Sequence, residues 1–168
     1  GLSVGEDGAS HQAIEDISLM RSIPNMTVIN PADSREAEQA VLRAAEYVGP
    51  VYIRLGRMAV DDVYDDSYVF ELGKGVLLKE GKDVTVIATG LMVQEALKAH
   101  DMLKEEGIDA RVINIHTIKP IDTEIIIKAA RETGAIVTAE EHSIIGGLGS
   151  AVLEVLSDQC PVPVKRVG

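Results

Sequence analysis

A short polar segment near the start of the chain carries the residues best suited to chemistry. Asp7 and His11 lie four positions apart, and Gly5 and Gly8 bracket the acid. The glycines allow backbone angles that residues with side chains resist, so the segment is predicted to form a tight loop. A carboxylate and a neutral imidazole on such a loop can bind and orient the hydroxyl groups of a polyol. The same pattern also occurs at ordinary capped helix starts, and spacing alone favours that plainer interpretation.

The segment after this loop is predicted to be helical. Ser10 is a suitable N-cap for a helix from His11 to Ser22, and apolar residues recur along it at helical spacing. His11 would then lie at the positive end of the helix dipole, which favours the neutral imidazole.

Two arginines, Arg54 and Arg57, lie near the end of an apolar strand predicted over residues 51–55. Arg57 follows Gly56 just past the strand, at the carboxyl end where ligands of open α/β sheets gather. A guanidinium suits the phosphate of a sugar phosphate, although a surface ion pair with Asp61 or Asp62 is the alternative. Arg54 lies inside the strand and is interpreted as structural.

Several short motifs share one family resemblance. The chain reads Gly5-Glu6-Asp7-Gly8, then Ser10-His11-Gln12, Ile14-Glu15 and Arg21-Ser22-Ile23-Pro24-Asn25-Met26. This order resembles the transketolase family, and the similarity extends along essentially the whole chain. The resemblance implies that Asp7 and His11 bind the hydroxyls of the donor sugar and that Arg57 binds its phosphate. It also implies that the chain is incomplete at both ends.

The resemblance further implies thiamine diphosphate and Mg²⁺ as cofactors of the complete enzyme. The family holds them with a Gly-Asp-Gly motif and a distant Asn, and that motif is not found here. The diphosphate and the metal are therefore predicted to be held outside this chain, by another domain or subunit. No residue matches the family's proton-relay Glu either. We therefore assign no catalytic residue to this chain and expect it to be inactive alone.

The function that the resemblance implies is that of a C-terminal part of a transketolase of the pentose phosphate pathway. It would bind sugar phosphates and work with an N-terminal transketolase subunit or domain, in a dimer or other homo-oligomer. Deoxyxylulose-phosphate synthase is a near rival, but its loop usually has a second His where Gln12 stands. The β subunits of 2-oxoacid dehydrogenases fit the loop poorly. A non-catalytic dimerisation or regulatory module remains an alternative of another class.

The amino-acid composition limits which binding partners and which cellular compartment are expected. The 168 residues carry a net charge of −11, which disfavours nucleic acid and anionic membrane surfaces as partners. The single Cys160 excludes an intrachain disulfide and a multi-cysteine metal site. No segment has the length of a transmembrane helix and no signal peptide opens the chain, so a cytoplasmic protein is predicted.

Apolar strands alternating with helices predict a layered α/β fold with mostly parallel sheets. We predict three regions: residues 1–57 as the end of a pyrimidine-binding domain, residues 58–69 as an exposed, acid-rich linker, and residues 70–168 as a transketolase C-terminal domain. Strands are expected over residues 70–78 and 162–167, among others.

The glycine run at residues 146–149 opens a predicted helix in the C-terminal region. It could form an anion-binding nest, but a close approach of helix to sheet is the favoured interpretation. His142, just before it, could bond to a partner subunit, whereas His100 and His116 are predicted to be structural.

Overall fold

Short apolar strands and amphipathic helices assemble into an α/β fold with two sheets, as predicted. The computed structural model describes residues 1–168. A 3-10 turn, Ala9–His11, precedes the regular elements. The helices are α1 (Asp16–Ser22), α2 (Ser34–Glu46), α3 (Met92–Glu105), α4 (Thr123–Thr133) and α5 (Leu148–Gln159). The strands are β1 (Thr27–Ile29), β2 (Val51–Ile53), β3 (Val76–Lys79), β4 (Val84–Ala88), β5 (Ala110–Asn114), β6 (Thr117–Lys119), β7 (Ile136–Ala139) and β8 (Val164–Val167).

The larger sheet has the order β3-β5-β4-β7-β8. Its last four members are parallel, and only β3 runs antiparallel to its neighbour β5. Apolar residues on both faces of β4 and β5 are buried, because α3 covers one face and α4 and α5 cover the other. Burial on both faces explains why these strands read as continuous apolar runs.

The smaller sheet joins the two halves of the chain. Its order is β2-β1-β6, with β2 parallel to β1 and β6 antiparallel to it. Ile17 and Val28 from the first half share one buried cluster with Ile87 and Leu148 from the second half. The halves therefore pack as one body, and the boundaries at residues 57 and 70 stay a prediction.

The segment of residues 58–69 is less exposed than an ordinary linker. Its Asp side chains face solvent, but Tyr64 and Tyr68 are half-buried and stack on each other, with 3.8 Å between their ring centroids. The carboxylate of Asp33 accepts hydrogen bonds from the backbone amides of Val63 and Tyr64, at 2.8 and 2.9 Å. These contacts attach the segment to the start of α2.

Two predicted element boundaries are wrong. The helix expected from His11 begins only at Asp16, so Ser10 is not its N-cap. The carbonyls of Ala13 and Ile14 instead accept tertiary hydrogen bonds, from Arg54 and from the backbone amide of Ser143. The strand expected over residues 70–78 is shortened to β3, because a turn at Gly73, with φ of 80°, occupies its first half.

No helix in the chain combines the length and apolar character needed to cross a bilayer.

Candidate functional site

The polar segment at the start of the chain forms the tight loop that its glycines predict. Gly5 and Gly8 have φ of 82° and 81°, in the left-handed region that glycine alone adopts freely. The amide of His11 donates to the carbonyl of Gly8 at 3.1 Å and closes the 3-10 turn. We call residues 3–13 the Asp7 loop. Its side chains at Asp7 and His11 are exposed and available to a ligand.

Arg57 meets this loop although it is distant in sequence. Its guanidinium forms an ion pair with the carboxylate of Asp7, and its Nη1 donates to the carbonyl of Val4 at 3.2 Å. The alternative partners expected from sequence, Asp61 and Asp62, are not used. His11 lies on the same loop, where its Nδ1 is 3.2 Å from the hydroxyl of Ser10. The structure thus brings Asp7 and Arg57 together and leaves His11 without a direct contact to either.

The expected dipole effect on His11 has no structural basis. His11 ends a three-residue 3-10 turn, and α1 begins five residues later. A macrodipole needs several aligned peptide units, so this turn gives the imidazole no comparable field.

A cleft of about 360 Å³ opens beside the loop, at the carboxyl ends of β1 and β2. Its lining includes Asn30, Ser34, Arg54, Gly56 and Glu141. Asp7, His11 and Arg57 lie outside this cleft, although Arg57 directly follows the lining residue Gly56. The three candidate residues therefore lie on an open surface rather than on the floor of this cleft.

The sequence predicted a structural role for Arg54, and its side chain forms several hydrogen bonds and ion pairs. Its side chain is only 7% exposed, and its Nε donates to Asp16 at 2.8 Å. Sequence reasoning did not single out Asp16 or Glu141, the two acids around it. The available signal was the arginine itself, since a charged residue inside an apolar strand requires buried partners.

The glycine run at residues 146–149 is already occupied by an internal carboxylate. Glu140 accepts the amides of Leu148 and Gly149 at 2.6 and 2.8 Å, at the N-terminus of α5. A Cβ on Gly147 would collide with the same Glu140 carboxylate. The favoured interpretation, a close approach of helix to sheet, therefore agrees with the packing, and the nest binds the chain's own acid.

The histidines outside the loop are held within the chain. His142 is buried, with Nδ1 donating to the carbonyl of Ser143 at 2.7 Å and Nε2 3.4 Å from the amide of Ser18. The expectation that His142 bonds to a partner subunit is therefore wrong, because both ring nitrogens face internal groups. His100 is buried against the carbonyl of Ala110 at 2.6 Å, as a structural role requires.

His116 is expected to make stability fall in acid. Burial lowers its pKa to about 4 from an ordinary 6.5, and the ring packs on Phe70 at 4.4 Å. A lowered pKa contributes stability above the unfolded value of 6.5, and this is lost as the pH falls toward 4. The difference corresponds to roughly 3 kcal/mol. Urea unfolding between pH 7 and 4 should show this slope in the native chain and a smaller slope in His116→Phe. Equal slopes would contradict the prediction.

No group of three or more His, Cys, Asp or Glu side chains in the chain is arranged to hold a metal ion. The chemistry that the geometry supports is recognition: a carboxylate and an imidazole for hydroxyls, and a guanidinium for an anion, on one loop and the adjacent strand end.

The chain folds into two joined α/β units, and the Asp7 loop gives the first unit a polar site. Residues 1–62 match the model of the transketolase pyrimidine binding domain, and residues 73–168 match that of the transketolase C-terminal domain. The chain belongs to the transketolase family.

Relatives support the same assignment over the full chain. It is 49% identical to the 6-deoxy-6-sulfo-D-fructose transketolase subunit SqwH of Clostridium sp. (strain MSTE9), over 100% of this chain and 52% of that protein. It is 47% identical to a subunit of the apulose-4-phosphate transketolase of Phocaeicola vulgatus, over 100% of this chain and 54% of that protein. Deoxyxylulose-phosphate synthases are also among the relatives, at lower identity.

A solved structure, described as a split gene transketolase in an inactive β4 tetramer, superposes with a TM-score of 0.93 and 58% identity. The match covers 95% of this chain and 53% of that one. The chain thus spans about half the length of the curated relatives it matches.

Proposed function

We propose that this chain supplies the sugar-phosphate recognition of a transketolase, as the C-terminal part of an enzyme that transfers two-carbon ketol units. The observation that carries the proposal is the contact between Arg57 and Asp7. It brings a candidate phosphate ligand to the loop that bears the candidate hydroxyl ligands. A sugar phosphate has this arrangement of groups, with hydroxyls at one end and a dianion at the other.

Each residue has a distinct role in this proposal. The carboxylate of Asp7 accepts a hydrogen bond from a hydroxyl of the donor sugar. The imidazole of His11 orients or relays a proton at the ketol oxygen. Arg57 binds the phosphate through two parallel N–H donors, a geometry to which the planar guanidinium is suited.

The ion pair between Asp7 and Arg57 is compatible with substrate binding. The two side chains are 40% and 61% exposed, and exposed ion pairs stabilise by only about 0–1 kcal/mol. A phosphate can therefore replace Asp7 as the partner of Arg57 at small cost. That exchange would also release the Asp7 carboxylate for a sugar hydroxyl.

The cofactor of this reaction, thiamine diphosphate, stabilises carbanionic character in the substrate when it is bound. The Gly-Asp-Gly motif with which the family holds the diphosphate and the metal is not found in this chain. We therefore place the diphosphate and Mg²⁺ on a second polypeptide or domain and derive no step of the cofactor from this chain.

The proposed partners are that cofactor-bearing transketolase subunit and further copies of this chain. Two relatives are named as subunits, which supports a divided enzyme. The structural relative is described as an inactive tetramer, which supports both self-association and inactivity in isolation. We place the reaction in the pentose phosphate pathway and the protein in the cytoplasm.

Two other functions are weighed against this one. Deoxyxylulose-phosphate synthase shares the architecture, but Gln12 replaces the second histidine of its loop. A non-catalytic assembly module is favoured by the exposed apolar side chains of Val41 and Leu42, in the second half of α2, and of Val48, just beyond its end.

The test is reconstitution. The chain, a transketolase subunit that carries the diphosphate motif, and their mixture are each assayed with thiamine diphosphate and Mg²⁺ for ketol transfer between sugar phosphates. Turnover is expected only in the mixture, with Asp7→Ala lowering it. Turnover by this chain alone would contradict the division of labour. A mixture that assembles but shows no turnover, and whose assembly is unchanged by Asp7→Ala, would establish the assembly module instead.

A further inference from the structure

Each end of the Asp7 loop forms a hydrogen bond with one of two residues, Glu141 at its start and Arg54 at its end. At its start, the amide of Ser3 donates to Oε1 of Glu141 at 2.5 Å. At its end, Nη2 of Arg54 donates to the carbonyl of Ala13 at 3.3 Å. Asp7 and His11 lie between these anchors, so the conformation of the loop depends on both.

Arg54 and Glu141 are joined to each other as well as to the loop. Nη2 of Arg54 donates to the backbone carbonyl of Glu141 at 2.8 Å, and Nη1 lies 3.6 Å from its carboxylate. Nε of Arg54 bonds to Asp16, which also accepts the hydroxyl of Tyr52 at 2.8 Å. All three nitrogens of the guanidinium are thus directed at the loop, at the helix that follows it or at Glu141.

The two anchors come from different parts of the fold. Arg54 directly follows β2 and lies three positions before Arg57, whereas Glu141 lies just past β7 in the C-terminal half. Their side chains are 7% and 14% exposed. Buried charges of this kind rarely improve on apolar packing for stability, and their best-attested use is to specify one arrangement.

We propose that Arg54 and Glu141 are positioning residues, which set the spacing between Asp7, His11 and Arg57 for sugar-phosphate binding. The inference rests on the proposed function. Arg54 links the loop to the strand end that carries Arg57, and Glu141 gives the C-terminal half a part in the substrate site. Spacing matters because the hydroxyls and the phosphate of one sugar must be contacted together, so a loop that is not held in place binds the sugar phosphate more weakly.

The first measurement follows the loop in the isolated chain and does not depend on activity. Hydrogen exchange over residues 3–13 is compared between the native chain, Glu141→Ala and Arg54→Lys. Arg111, on β5, provides matched controls, because it is another buried arginine, 10% exposed at its side chain and paired with Glu132 at 2.5 Å. Exchange in the loop should rise about tenfold in the two variants and stay unchanged in Glu132→Ala and Arg111→Lys. Unchanged exchange in both loop variants overturns the proposal.

The second measurement uses the reconstituted complex. Glu141→Ala should raise KM for the sugar phosphate about tenfold and leave kcat within about twofold. Glu141→Gln, which keeps an acceptor for the Ser3 amide, should recover most of the loss. A merely structural defect would instead reduce the active fraction, which lowers kcat and leaves KM unchanged. That pattern, or a mobile loop with native KM, overturns the positioning role. If the native mixture shows no ketol transfer, the proposed function fails, and loop exchange alone decides whether the anchors hold.

Discussion

Arg57→Ala is expected to lower kcat/KM for a phosphorylated sugar by about 100-fold in the reconstituted complex. Hydrogen bonds to a charged group contribute about 1.5–3 kcal/mol, and the loss of a bidentate pair falls at the upper end of this range. Arg57 is 61% exposed in the chain, so its removal leaves no buried charge behind. The effect should therefore appear in substrate recognition and hardly at all in the free energy of unfolding.

A sugar without phosphate distinguishes a loss of phosphate recognition from a general loss of enzyme activity. Steady-state kinetics with a non-phosphorylated donor should show Arg57→Ala within about threefold of the native enzyme. Arg43→Ala is the matched control, because Arg43 is also exposed and also paired with an acid, Glu46, but lies on α2 away from the loop. Asp7→Asn breaks the same ion pair without removing the guanidinium. Equal losses with the phosphorylated and the non-phosphorylated donor would show that Arg57 does not bind phosphate.

Glu36→Ala is expected to lower the free energy of unfolding by about 4 kcal/mol. Glu36 is fully buried at the start of α2 and accepts the backbone amide of Ala32 at 2.7 Å and the hydroxyl of Tyr68 at 2.6 Å. Both carboxylate oxygens also lie 3.0 Å from Nδ2 of Asn114 on β5. Removing the acid leaves these donors buried without an acceptor, a defect that typically costs about 3–5 kcal/mol.

Burial raises the pKa of Glu36, and the donors of Tyr68, Ala32 and Asn114 oppose that shift. The carboxylate therefore stabilises the fold through the partners it satisfies, which alanine cannot do. Glu38→Ala provides the control, since Glu38 is exposed on the same helix and undergoes the same change of residue type. Urea unfolding of the three proteins measures the difference. A Glu36 variant within about 1 kcal/mol of the Glu38 variant would show that the network is dispensable.

Much of the fold could be predicted from local pattern. Apolar runs predicted the central strands of the larger sheet, whose residues are buried. Gly5 and Gly8 predicted a tight loop because few other residues adopt positive φ without strain. The order of motifs from Gly5 to Met26 indicated the family by resemblance, which the spacing of Asp7 and His11 alone did not.

Other features depended on partners that are remote in sequence. The helix predicted from His11 starts late because Ser143 and Arg54 bond to the carbonyls that the helix would have used. No role was predicted for Glu36, Asp16 and Glu141, since nothing in their sequence neighbourhood reveals the donors that they bond to. His142 looked free for a partner subunit for the same reason.

The sequence by itself determined the α/β class and the glycine loop with its polar residues, because these follow from short-range periodicity and φ preferences, and the order of its motifs indicated the family by resemblance. Tertiary structure decided that Arg57 meets Asp7, that β6 joins the halves in one sheet, and that Arg54 and Glu141 hold the loop at both ends. The physical reason is that ion pairs and hydrogen bonds between distant segments are selected by the geometry of the packed chain, which no local pattern encodes.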